Sequence, residues 1–123
     1  MLMKKKILII DDDNRNIFAL RLTLRSKGYE CLSAQSAQAG IDILAQDKNI
    51  GIILMDMMMP DMDGYQAMAV LHKNPETTHI PVIAVTAQAM VGDREKCLRA
   101  GATDYIAKPI DVDVLLEILK RYL

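Results

Sequence analysis

Ile7-Leu8-Ile9-Ile10-Asp11-Asp12-Asp13 decides how this chain is read. A run of β-branched residues and leucine describes a strand buried on both faces, as in a parallel sheet. The acids that follow stand at the strand's C-terminal end, where open α/β sheets place their ligands. Clustered carboxylates repel one another, and a hard divalent cation relieves that repulsion. A second apolar run, Ile52-Ile53-Leu54-Met55, also ends in an acid, Asp56. Two adjacent parallel strands that both end in aspartate can hold one metal ion between them.

Outward from these two strands the pattern alternates strand and helix. Lys5 to Ile10 is the first strand. Ile17, Leu20 and Leu24 recur at helical spacing, and Gly28 ends that helix. Tyr29 to Ala34 is a more polar strand, suited to a sheet edge. Ser36 is a helix N-cap, followed by Ala37, Ile41 and Leu44 on one face. Gly51 to Met55 is the strongest strand. Met59-Pro60-Asp61-Met62-Asp63-Gly64 is turn chemistry, with Asp61 and Asp63 read as turn formers. The next helix carries Tyr65, Met68 and Leu71 inward and ends near Asn74-Pro75. Pro81 to Val85 is a fourth strand, Val91 to Ala100 a short helix closed by Gly101, and Thr103 to Ala107 a polar fifth strand. Val112, Leu115, Leu116, Leu119 and Tyr122 form the amphipathic stripe of a last helix. Five strands alternating with five helices predict a doubly wound parallel α/β sheet with right-handed crossovers. The polar second and fifth strands belong at its edges, which gives the order 2-1-3-4-5.

The 123 residues suit one domain, 1–123. A formal net charge of −1 offers no nucleic-acid or membrane surface, and Lys4-Lys5-Lys6 reads as a solvated tail. No apolar stretch approaches the ~20 residues that span a bilayer, and no signal-peptide pattern opens the chain, so a cytoplasmic location is the expectation. Cys31 and Cys97 fit no metal spacing and read as reduced and buried. His72 and His79 fit no zinc motif and read as surface residues.

Four of the five strands end in residues with phosphate or metal chemistry: Asp11 and Asp12, Asp56, Thr86, and Lys108. In the expected order these strands are consecutive neighbours, so the side chains converge on one pocket. The aspartates suit a cation of the magnesium type. Asp56 can act as a carboxylate nucleophile and form an acyl phosphate. The Thr86 hydroxyl can donate to a phosphoryl oxygen, and Lys108 supplies a point charge on the opposite side. Ala87 matters by being small. Asp13 reads as a helix N-terminal charge rather than a third metal ligand.

At Ile7 to Asp12 (ILIIDD), Met55 to Gly64 (MDMMMPDMDG), Val85 to Ala87 (VTA) and Ala107 to Pro109 (AKP), the chain resembles a receiver domain of the two-component response-regulator family. The resemblance covers essentially its whole length. Arg15 to Leu20 and Gly92 to Ile110 are most similar to receivers of hybrid sensor kinases and related stand-alone receivers. The family implies the flavodoxin-like form of the sheet and a phosphoacceptor role for Asp56. It implies Mg²⁺ held by Asp11, Asp12, Asp56 and the backbone carbonyl of Met58, with Mn²⁺ able to substitute. It makes Thr86 and Tyr105 the switch, Met58 and Gln88 the residues that tune acyl-phosphate lifetime, and Lys108–Pro109 a cis bond. The implied partners are a sensor histidine kinase or histidine phosphotransfer domain and a downstream protein, reached through the face of the fourth helix, fifth strand and last helix. The module is then no enzyme beyond the chemistry of its own aspartate.

Two other classes fit less well. A phosphohydrolase of the haloacid dehalogenase type needs Asp-x-Asp followed by Thr or Val two residues on, and Arg15 stands there. A flavin-binding module needs a Ser/Thr/Gly-rich phosphate loop after the first strand, where Asp11 to Arg15 would repel phosphate.

Overall fold

A computed structural model describes residues 5–87 and 91–123. The chain runs β1 (Lys6–Ile10), α1 (Asn14–Ser26), β2 (Cys31–Ala34), α2 (Ala37–Gln46), β3 (Ile50–Asp56), α3 (Gly64–Lys73), β4 (Val82–Thr86), α4 (Asp93–Arg99), β5 (Asp104–Ala107) and α5 (Val112–Tyr122). The strands form one parallel sheet in the order β2-β1-β3-β4-β5. This is the expected doubly wound, flavodoxin-like architecture.

The strands alternate their side chains between two faces, as the pleat requires. Leu8, Ile10, Ile53 and Met55 pack on one side with Leu44, Met68, Leu71 and Cys97 of α2, α3 and α4. Ile7, Ile9, Ile52 and Leu54 pack on the other with Ile17 and Leu24 of α1 and Leu115, Ile118 and Leu119 of α5. Both faces of β1 and β3 are therefore covered, which is why their sequences are continuously apolar. Ile118 belongs to the buried stripe of α5, where the sequence pattern had passed over it.

Four of the five helix starts are set by side-chain caps. Asp13 accepts from the Arg15 N–H, Ser36 from Ala39, and Asp111 from Asp113 and Val114. Asp63 is more than a turn former. It accepts from the Gln66 N–H, and the Gln66 side chain accepts from the Asp63 N–H, a complete capping box. Asp61 is a turn residue, at φ +64°.

Element ends differ slightly from expectation. β2 begins at Cys31 because the Tyr29 N–H is engaged by the Leu24 carbonyl in the turn that ends α1 at Gly28, φ +90°. α4 begins at Asp93 because Gly92 is left-handed, φ +89°. Lys6 is not part of a solvated tail. It enters β1 half-buried, with its ammonium 2.8 Å from Asp47 Oδ2 and 3.5 Å from Glu30 Oε2. Both cysteines are free and buried, and burial pushes the Cys31 thiol up to about 11. His72 and His79 are exposed. No helix among the described residues is long and apolar enough to cross a membrane.

Candidate functional site

β1 and β3 run side by side, Ile10 opposite Met55, so the residues after them emerge together at the C-terminal edge of the sheet. Asp11 and Asp56 are each only 4 % exposed, while Asp12 is exposed. Carboxylate oxygens of the three lie within 4.8 Å of one another.

Each buried acid is oriented by a backbone amide two residues on. Asp11 Oδ1 accepts from the Asp13 N–H at 2.8 Å, and Asp56 Oδ1 accepts from the Met58 N–H at 3.0 Å. The second oxygens share one cation. Lys108 Nζ is 3.4 Å from Asp11 Oδ2 and 3.5 Å from Asp56 Oδ2. Lys108 is placed by β4 and β5, its N–H donating to the Thr86 carbonyl at 2.8 Å, and the Lys108–Pro109 bond is cis. Thr86 ends β4 at 2 % exposure, beside Ala107 of β5, and Ala87 is exposed.

The charges are poised rather than balanced. Burial raises the Asp56 carboxyl above the ordinary range, and the Asp11 charge adds to this, while the Met58 N–H and Lys108 oppose it. Burial works to lower the Lys108 ammonium, but Asp11 and Asp56 outweigh it and hold the group above its usual value. The donor set is all hard oxygen, two of the three acids are buried, and the repulsion between them is only partly relieved. Those features fit a magnesium-type ion.

Asp13 stays out of the cluster, as expected, because it caps α1. Met58 is 54 % exposed, between buried Met57 and Met59, so its side chain is open to solvent beside the acids. Tyr105 does not join the cluster. It is half-buried, and its hydroxyl donates to Asp93 Oδ2 of α4 at 3.1 Å. Gln88 lies outside the described residues. Two features were not read from sequence. One is that Lys108 spans Asp11 and Asp56. The other is Gly64: a Cβ there would stand 2.5 Å from Met57 Sδ, 2.8 Å from Met57 Cα and 3.0 Å from the Asp56 carbonyl oxygen. The Asp63-Gly64 pair before a helix was the available signal.

The family model of the response regulator receiver domain matches residues 7–120. The polar-differentiation response regulator DivK of Brucella ovis is 38 % identical over 121 residues, covering 98 % of each chain. Among solved structures, the receiver domain of a sensor histidine kinase from Pseudomonas aeruginosa, with a magnesium ion coordinated in its active-site cleft, is 34 % identical. It covers 98 % of each chain at a TM-score of 0.87. The receiver domain of the Saccharomyces cerevisiae response regulator Ssk1, solved with the histidine phosphotransfer protein Ypd1, shares the fold at 23 % identity and a TM-score of 0.86. That match covers 99 % of this chain and 90 % of the other.

Proposed function

The chain belongs to the response regulator receiver domain family of two-component signalling, and on that premise we propose that Asp56 accepts a phosphoryl group from a partner's phosphohistidine. The observation that carries this reading is the placement of Asp56. It ends the central strand nearly buried, one oxygen fixed by the Met58 N–H and the other facing Lys108. In the transfer a carboxylate oxygen bonds to phosphorus as the phosphorus–nitrogen bond of the donor breaks, and the imidazole keeps that electron pair. Lys108 holds charge against the incoming phosphoryl oxygens, and the Thr86 hydroxyl donates to one of them. Asp11, Asp12, Asp56 and the Met58 carbonyl would hold Mg²⁺, or Mn²⁺ in its place, which supplies further positive charge against the phosphoryl group. The chain modifies only itself and turns over no separate substrate.

Partner docking fits α1. Phe18 and Leu22 are 69 % and 61 % exposed, one turn apart on a helix that begins beside the acids. They line a groove of about 1090 Å³ with Arg15, Arg21 and Arg25. Among the described residues none of these arginines has a carboxylate partner, so the surface suits an apolar ridge flanked by acids. The donor that fits is a sensor histidine kinase or histidine phosphotransfer domain, in the cytoplasm. The output face is α4, β5 and α5, to which Tyr105 and Asp93 belong.

The test is intact mass after incubation with a small-molecule phosphodonor and Mg²⁺. One phosphoryl group should be gained, and none by Asp56→Asn. Equal labelling of that variant would overturn the assignment.

A further inference from the structure

We propose that Tyr65 is a positioning residue that ties α4 to the loop leaving β3 at Asp56, giving that site a second line to α4 besides Thr86 and Tyr105. The proposal rests on the reading of Asp56 as the phosphoacceptor.

The line begins at Gly64. The contacts that leave no room for a Cβ there put the start of α3 directly on the Met57 backbone and the Asp56 carbonyl. The Asp63–Gln66 capping box fixes that first turn, so it moves with the loop or not at all. The next residue reaches the other way. The Tyr65 hydroxyl lies 3.5 Å from Cys97 Sγ, and Lys96 Nζ lies 4.8 Å from the Tyr65 ring centre. Cys97 and Lys96 are both on α4. Two consecutive residues, Gly64 and Tyr65, thus join the backbone at the phosphoacceptor to α4.

α4 depends on such ties. It has seven residues, buries Cys97, and its N-cap, Gly92, offers no side-chain cap. Tyr105 holds Asp93 from β5, Tyr65 holds Cys97 and Lys96 from α3, and His72 Nε2 meets the Gly101 carbonyl, 3.1 Å away, just past its end. Burial first, and then the contact with Cys97, raises the Tyr65 phenol above its usual value, so the hydroxyl keeps its proton at neutral pH. A phosphoryl group on Asp56 changes the charge and hydrogen bonding of the strand end on which Gly64 sits. Tyr65 carries any resulting shift of the α3 terminus to α4.

The experiment uses Tyr65→Phe, which keeps the ring under Lys96, and Tyr65→Leu, which removes both contacts, with Tyr105→Phe for comparison. Amide hydrogen exchange and amide NMR shifts are read with and without Mg²⁺ and beryllium fluoride, a mimic of the acyl phosphate. In the free protein, α4 amides should exchange about three- to tenfold faster in Tyr65→Leu, less so in Tyr65→Phe, with α1 unchanged. With the mimic bound, the shift changes in α4 should fall by about half in Tyr65→Leu, and further when Tyr105→Phe is combined with it. Wild-type α4 exchange in Tyr65→Leu, or an undiminished α4 response to the mimic, would overturn the proposal. Failure of the wild type to bind the mimic or gain phosphoryl at Asp56 would instead overturn the phosphoacceptor reading. The exchange measured in the free protein would still decide the tie.

Discussion

Lys108 and Asp56 stand 3.5 Å apart, ammonium to carboxylate, at the ends of strands that are not neighbours in the sheet. The contact is shared with Asp11, so one cation faces two nearly buried acids and a third nearby. Without a metal the site carries more negative charge than Lys108 can offset, and the consequences can be measured.

The Asp56 carboxyl is held above its ordinary pKa by burial and by Asp11. A group raised in this way stabilises the fold below the unfolded-state pKa, near 4, and that contribution is lost as pH rises through the folded value. At neutral pH the ionised group is a net cost. Asp56→Asn should therefore melt higher than the wild type in metal-free buffer at pH 7, by a few degrees. The gap should close as pH falls toward 4, and Mg²⁺ should stabilise the wild type more than the variant. Thermal melts over this pH range check it; a lower melting point for Asp56→Asn would contradict the charge argument.

Asp12 and Asp13 should separate cleanly. Asp12→Ala removes an oxygen from the cluster and should weaken Mg²⁺ binding about tenfold or more, with little effect on folding. Asp13→Ala removes the α1 cap and should cost about 1 kcal/mol of stability, leaving Mg²⁺ affinity nearly unchanged. Calorimetric titration and melts distinguish the two. A larger loss of affinity in Asp13→Ala would shift the metal register by one residue.

Gly64→Ala should be disproportionately damaging. The new methyl group meets backbone at Met57 Cα and the Asp56 carbonyl, neither of which can swing aside. A loss of about 1–3 kcal/mol is expected, with slower phosphorylation from small donors. Denaturant unfolding and mass-resolved labelling check both effects.

Phe18→Ala and Leu22→Ala remove exposed apolar surface from α1 and touch nothing at the acids. Each should slow transfer from a phosphohistidine partner several-fold while leaving labelling by a small-molecule donor unchanged. Equal rates from the protein donor would place docking elsewhere.

Met58→Asn should shorten the life of the phosphorylated species. A thioether is a weak acceptor and shields the phosphoryl group, whereas an amide can orient an attacking water. The exposed side chain is free to change without moving the Met58 N–H from Asp56. Decay of the phosphorylated mass at fixed Mg²⁺ gives the answer, and unchanged decay would mean that this side chain does not govern access.

The fold was legible because burial on both faces of β1 and β3 writes itself as unbroken apolar runs, and because each run stops at an acid. Sheet order followed from the polarity of β2 and β5. Much of what stayed hidden shares one property: partners far apart in the chain. Lys6 looks like any surface lysine until Asp47 and Glu30 are brought to it. Tyr65 fits an inward helical face, and nothing in its neighbourhood announces Cys97 or Lys96. Phe18 and Leu22 fell outside the periodic set Ile17, Leu20 and Leu24, and that departure was the signal that α1 has a second apolar surface. Asp63 was readable as a cap, since Gln66 follows at the capping-box spacing.

The two buried thiols have a practical side. Cys97 is fully enclosed, and Cys31 is nearly so and remains protonated far above neutral pH. To a maleimide dye the native surface is therefore blank. A single cysteine introduced in place of Ala19, exposed on α1 beside Phe18 but outside the groove, would be the reactive sulfur, able to carry a fluorophore onto that helix. The native chain then becomes its own labelling control, and arrival of a phosphodonor could be followed as a change in emission, with no need to remove either natural cysteine.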